Sequence, residues 1–229
     1  FAEFFTVRQD RARHIPDAMD FALAALAEPV AVCLEALHQA RLQAGNRLLV
    51  VGDGPFGVLM ARLAQKWGLS KVVLGGHHDF RLAFAKGATL VNLCRQADAQ
   101  AALAQAGEGG YDAAILAVGR AEAYQNALKL LKPRGRIVVF SPVPGDTPID
   151  LTRVHLKELE IVGACNDQDR FDEAVQILAD PACSLTDLIT HRLPFAEYAK
   201  ALALAEGGRQ EAMKVAMIFP DQMSSRRTS

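Results

Sequence analysis

The chain has 229 residues, 51% of them hydrophobic and 22% charged, and a formal net charge of -1 at pH 7. That length and balance suit one large core plus part of a second lobe. No global field exists to gather nucleic acid or an anionic membrane, so neither is expected as a partner.

The most apolar stretch, Phe21 to Leu37, carries Glu28, Pro29 and Glu35 and is read as too short and too charged to span a bilayer. The chain opens on Phe1 with no basic segment leading into an apolar block, and the cysteines at 33, 94, 165 and 183 form no CxxC pair. A cytoplasmic location with reduced, buried thiols is the expectation. A basic pair, Arg226 and Arg227, lies in a polar tail.

In chain order, residues 1–45 begin with an aromatic, strand-like run, Phe1 to Val7, and continue into an Ala/Leu-rich helical region. From Asn46 a strand, turn and amphipathic helix pattern repeats. Arg47 to Val51 reads as a strand ending at Gly52, and Val58 to Trp67 as a helix stopped by Gly68. A strand at Lys71 to Leu74, a helix at Arg81 to Lys86 and a strand at Leu90 to Asn92 follow. Then come a helix near Ala97 to Ala106, a strand Ala113 to Val118, a helix Ala121 to Leu131, the turn Lys132 to Gly135, and strands at Arg136 to Phe140 and Leu159 to Val162. From Phe171 the pattern gives a helix, the segment 188–195, another helix and a last strand, Lys214 to Phe219.

Strands separated by helices of this length favour parallel pairing through right-handed crossovers, which predicts an α/β, doubly wound parallel sheet of the Rossmann type. The expected organisation is 1–45 as the end of a second lobe with a connecting helix, 46–165 as a dinucleotide-binding domain, and 166–229 as helices and a strand returning to the second lobe. The strand Leu159 to Val162 is expected at the sheet edge, where unpaired backbone groups invite a homodimer or homotetramer contact.

Gly52-Asp53-Gly54-Pro55-Phe56-Gly57 is G-x-G-x-x-G between a strand and a helix. Such glycines permit a tight turn, close approach of backbone to a pyrophosphate and close helix–strand packing, while the helix N-terminus offers free N–H groups to phosphate. Val118 and Gly119, at the end of a later strand, join this loop as candidate cofactor contacts. An acid about 20 residues on would hold the ribose 2′-hydroxyl of NAD. Nineteen residues on from Gly57 stands Gly76, followed by His77, His78, Asp79, Phe80 and Arg81. Gly76 leaves room for an added phosphate, and His77, His78 and Arg81 can contact one. NADP is therefore the expected cofactor, with NAD left open because Asp79 could serve as the acid.

The order of motifs resembles the medium-chain dehydrogenase/reductase family, in its zinc-dependent sorbitol, threonine and polyol dehydrogenase branch. Phe1-Ala-Glu-Phe-Phe resembles the family's F-A-E-Y, Leu26 to Val32 its A-E-P-L-A-V, and Gly52 to Gly57 its G-x-G-P-x-G. Lys132 to Arg136, Lys157-Glu-Leu159 and Leu188-Ile-Thr-His191 resemble further family segments in sequence order. The resemblance implies a GroES-like catalytic lobe of which only remnants stand here, and a catalytic zinc whose Cys and His ligands lie upstream. Glu28 would be the one ligand position present, and its apolar flanks suggest a carboxylate buried by a metal.

The implied activity is NAD(P)-dependent, zinc-assisted interconversion of a small-molecule alcohol or polyol with its ketone or aldehyde. No catalytic residue is assigned, and His155 and His191 have a structural reading. A zinc-free quinone or enoyl reductase, or a non-catalytic dinucleotide-binding module, are the other readings of the same sequence.

Overall fold

A computed structural model describes residues 5–167, 169–208 and 211–219. Two helices come first, α1 (Phe21–Ala24) and α2 (Ala27–Gln39), then β1 (Arg47–Val51) and α3 (Pro55–Leu63). Next are β2 (Lys71–Gly76), α4 (Asp79–Leu82), β3 (Thr89–Asn92), α5 (Ala99–Ala106), β4 (Tyr111–Leu116) and α6 (Ala121–Leu130). The chain continues with β5 (Leu131–Val139), α7 (Leu151–Lys157), β6 (Glu160–Gly163), α8 (Phe171–Ala179), β7 (Ile189–Pro194), α9 (Tyr198–Gly207) and β8 (Lys214–Ile218).

The first six strands form one parallel sheet in the order β3-β2-β1-β4-β5-β6, the doubly wound arrangement expected. Side chains alternate across it. Leu48, Val50, Val72, Leu74, Ile115 and Val138 point into a core shared with α2, α3 and α8, while Leu49, Val51, Val73, Leu116 and Ile137 face α5 and α6. Because both faces are covered, the strands read as unbroken apolar runs rather than alternating ones. β6 lies at the edge as expected, and β7 pairs with β8 in a separate two-stranded parallel sheet.

Helix starts follow their capping chemistry. Asp98 accepts from the Ala101 N–H and so starts α5 two residues later than the periodicity suggests, and Asp150 does the same for α7 through Arg153. Pro55 starts α3, where a missing N–H costs nothing. That helix therefore begins before the expected Val58, and its last residues, Ala64–Trp67, tighten into a 3-10 turn. The expected helix at Arg81 to Lys86 is a single turn, Asp79–Leu82, followed by turns that end at the positive-φ Gly87. The strand expected at Arg136 starts at Leu131, because the Lys132 to Gly135 turn is absorbed as an irregularity in its pairing with β4. Residues 5–7 are not a strand, and Phe1 to Phe4, like Arg226 and Arg227, lie outside the described residues.

The segment 21–39 is long and apolar enough to cross a bilayer on those two measures alone. Here it has a different use. Val30, Ala31, Cys33, Leu34, Ala36 and Leu37 are fully buried in the core on the α3 and α8 side of the sheet. Of the four thiols expected to be buried only Cys33 is, Cys94 and Cys165 being exposed and Cys183 half-buried.

Where β1 meets α3 there is no room for a side chain. Gly52 has φ +118°, and a Cβ on it would lie 2.6 Å from the Ala117 carbonyl oxygen; a Cβ on Gly57 would lie 1.8 Å from the Gly52 carbonyl oxygen. Backbone against backbone cannot yield as a flexible side chain does. Gly57→Ala is thus expected to destabilise the chain by about 3 kcal/mol or more, above the usual overpacking range. A urea midpoint within error of the wild type would show that α3 moves away from β1 at little cost.

Candidate functional site

The glycine loop, the end of β2 and the segment after β4 meet at the carboxyl edge of the sheet, beside the strand-order reversal between β1 and β4. They enclose a hollow of about 410 Å³. Of the residues expected from sequence, Gly52, Gly54, His77 and Val118 line it; Asp53, Leu93, Arg120 and Glu122 line it as well. Pro55, Phe56 and Gly57 form the first turn of α3. Gly119 follows Val118 in close contact with the loop after β5, where a Cβ would fall 2.4 Å from the Pro142 carbonyl oxygen.

Gly52 and Gly57 are required by the packing of the loop itself. Gly54 is not. Its φ is -66°, open to any residue, and a Cβ there would meet no protein atom within 4 Å. It also occupies the N-cap of α3, where a Ser, Thr or Asp would satisfy an N–H that glycine leaves free. Nothing in the fold explains this glycine, whereas close approach of a phosphate-bearing ligand to the backbone does. That is the positive fit between these residues and a dinucleotide.

At the end of β2 the sequence-based reading of an open site needs correction. A carboxylate does stand against Gly76, and it comes from the loop. Asp53, 6% exposed, accepts on Oδ2 from the amides of His77 at 2.8 Å and His78 at 2.6 Å, with the His78 ring Nδ1 3.1 Å away. A Cβ on Gly76 would lie 2.4 Å from the Asp53 Cβ, so Gly76 is small because Asp53 occupies the space. Burial pushes the Asp53 carboxyl up, but the two amide donors and the His78 ring together outweigh it and hold the group below the usual aspartate range.

The other residues of this segment are variously engaged. Asp79, the substitute acid of the sequence reading, is held by Asn92 Nδ2 at 2.6 Å and by Arg95. Arg81 is half-buried and does not line the hollow, and its Nε is buried without a partner among the described residues.

Glu28 stands in the first turn of α2 and is exposed, which corrects the inference that its apolar neighbours bury it. A helical step places Ala27 and Pro29 in the core and turns Glu28 outward, where the helix N-terminus favours a negative charge. It borders a hollow of about 480 Å³ with Val32, Cys165, Asn166 and Asp167. Among the described residues no three His, Cys, Asp or Glu side chains come close enough to hold a metal ion. A catalytic zinc needs three protein ligands, so the described residues do not by themselves fit one.

Sequence reasoning also missed Lys214, the first residue of β8. Its ammonium lies 5.1 Å from the centre of the Phe56 ring, on the first turn of α3, and the Cys33 thiol donates to the Phe56 carbonyl from below at 3.6 Å. Burial lowers the lysine from its ordinary value, while nearby Cys33 and Glu28 act in the opposite direction. The available signal was a lone cation opening an otherwise apolar terminal strand.

Over residues 55–180 the chain matches the zinc-binding dehydrogenase family. It is 26% identical to the sorbitol dehydrogenase of Bacillus subtilis (strain 168) over 226 residues, which is 97% of this chain and 64% of that protein. A solved short chain alcohol dehydrogenase from Escherichia coli CFT073, complexed with NADH, has a TM-score of 0.85 at 24% identity and covers 91% of this chain and 63% of its own. A protein from Sinorhizobium meliloti 1021 bound to NADP has a TM-score of 0.81 at 23% identity, with 93% and 63% covered. These two likenesses concern the fold. The chain spans 60–64% of the length of the curated relatives it matches.

The lowered Asp53 carboxyl has a consequence for stability. A carboxyl whose folded value lies below its unfolded value stabilises the fold above the unfolded value, and that contribution is lost as pH falls through the folded one. Asp53→Asn is therefore expected to cost about 1–3 kcal/mol above roughly pH 5, and the gap to wild type should narrow below the ordinary aspartate value of 3.8. Urea midpoints across that range check it; a gap that widens on acidification contradicts the assignment.

Proposed function

The chain belongs to the zinc-binding dehydrogenase family, and from that membership we propose that it is the cofactor-binding part of an oxidoreductase that interconverts an alcohol or polyol with its ketone or aldehyde. The cofactor is a nicotinamide dinucleotide, NADP or NAD, seated on the Gly52–Gly57 loop. The observation that carries this reading is Gly54: a residue glycine for no reason of packing or φ, at the N-cap of a helix whose first turn has no side-chain cap.

Each neighbour then has a part. The first-turn amides of α3 face the pyrophosphate, and the Lys214 ammonium over Phe56 supplies the opposite charge. Its desolvation costs less once a phosphate stands beside it. The hollow bordered by Asp53, His77, Leu93 and Val118 takes the adenosine half. Phe56, packed against Phe140 at 5.3 Å and backed by Cys33, forms a rigid floor at the nicotinamide end. When bound, the nicotinamide supplies hydride transfer to or from the substrate carbon.

A polyol or similar small alcohol is proposed as substrate by likeness to the sorbitol dehydrogenase, and a cytoplasmic location goes with it. Residues 1–45 are assigned to the end of a second, GroES-like lobe and its connecting helix, α2, which packs on the sheet, and β7 and β8 to the return to that lobe, with Glu28 as the zinc-facing position once ligands from outside the described residues are in place. Assembly is proposed through the edge of β6, where Ile161 is 37% exposed beside an unpaired strand edge.

Gly54→Ala separates cofactor binding from folding. Its stability is expected within about 1 kcal/mol of wild type, while NADH and NADPH affinities both fall on the order of tenfold or more, equivalent to about 1.4 kcal/mol. Calorimetric titration of both cofactors reads this; unchanged affinity would remove the glycine loop from the site. Independently, sedimentation at micromolar concentration is expected to give a dimer or tetramer, and Ile161→Lys to give monomers. A wild-type monomer would contradict assembly through β6.

A further inference from the structure

The strand that ends beside the glycine loop carries no acid of its own, and we propose that Asp53, from inside the loop, receives the adenosine ribose hydroxyls and thereby favours NAD(H) over its 2′-phosphorylated counterpart. The inference rests on the dinucleotide reading of the loop and adds to it the residue that selects between the two cofactors.

Three observations converge on Asp53. The first is place. An acid that holds a ribose 2′-hydroxyl ordinarily projects from the end of the second strand, and a Cβ at that position, Gly76, would lie 2.4 Å from the Asp53 Cβ and 2.8 Å from its Oδ2. Asp53 fills the volume such a side chain would take. The second is the division of its oxygens: Oδ2 takes all three contacts from His77 and His78, and Oδ1 accepts no hydrogen bond among the described residues. Oδ1 keeps contact with solvent on the side of the hollow, so it is the carboxylate oxygen left to take a donor from a ligand. The third is access, since Asp53 is part of the wall of the hollow assigned above to the adenosine half.

The charges around it agree. A 2′-phosphate carries close to two negative charges, and bringing it against a desolvated carboxylate is repulsive in a way that water screens poorly. The His78 ring is already turned to Asp53. Arg81 does not border the hollow, so its fork is not aimed at a phosphate there; Arg120 does border it but is exposed. Glu122, on the same wall and equally exposed, offsets Arg120, which leaves the buried Asp53 as the charge that decides. Two hydroxyls, each able to donate, match Oδ1 better than an anion that can only accept.

The test uses the intact chain and calorimetric titration with NADH, NADPH, AMP and 2′-deoxy-AMP. NADH is expected to bind at least about tenfold more tightly than NADPH, the size of a single charge-assisted hydrogen bond. Asp53→Asn should reduce that ratio by about tenfold, weakening NADH and strengthening NADPH. Should the substitution disturb the turn at 76–78, the wild type alone still decides: AMP should bind about tenfold more tightly than 2′-deoxy-AMP. NADPH equal to or tighter than NADH, or AMP and 2′-deoxy-AMP bound alike, overturns the role of Asp53 and leaves the dinucleotide reading standing. If none of the four binds, both fall together.

Discussion

The site depends on a contact with no slack: the first turn of α3 is pressed onto the end of β1, so that the distance from a would-be Gly57 Cβ to the Gly52 carbonyl is 1.8 Å. Two glycines absorb that contact, and the cost is the chain entropy that glycine loses on folding. What results is position. The N-terminus of α3, with its unsatisfied amides and positive dipole end, is fixed at the carboxyl edge of the sheet beside the reversal between β1 and β4. Hydrogen-bond donors held in place before a ligand arrives lose little on binding it.

Around that fixed point the ionised side chains divide by sign. On the β2 side a buried Asp53 ties the loop to the turn at His77 and His78; on the β8 side Lys214 is drawn over Phe56 by the pairing of β8 with β7. The anion takes its donors on one oxygen and none on the other, while the cation is partly desolvated and makes no ion pair among the described residues. A molecule that presents hydroxyls at one end and phosphate in the middle meets a complementary partner at each place. Cys33, buried in α2, hydrogen-bonds the Phe56 carbonyl, so the same first turn is anchored from the core as well.

The sheet and the loop were legible in the sequence because both rest on local chemistry. Short β-branched runs covered on both faces stay continuously apolar, and a G-x-G-x-x-G between strand and helix has few structural uses. Asp53 was not legible as an acid for the second strand. Spacing rules look along β2, whereas the carboxylate crosses from 24 residues earlier in the chain to the His77 amide. Nor was Lys214, which reaches Phe56 only through the β7–β8 pairing. Glu28 shows the opposite failure: apolar neighbours in sequence suggested burial, but successive helical residues point about 100° apart, so its flanks are in the core while it is not. Short elements such as α4 escape periodicity altogether, since one turn is decided by its flanking turns.

The central claim is that a nicotinamide dinucleotide sits on the amides of the Gly52–Gly57 loop. Residue-resolved amide hydrogen exchange of the chain with and without saturating NADH tests it most directly, because it reports on those N–H groups themselves. The account predicts slower exchange at Gly54, Phe56 and Gly57 and at His77 and His78, with α9 little changed. Saturation with no change in the loop, or protection confined to the hollow beside Glu28, would contradict it.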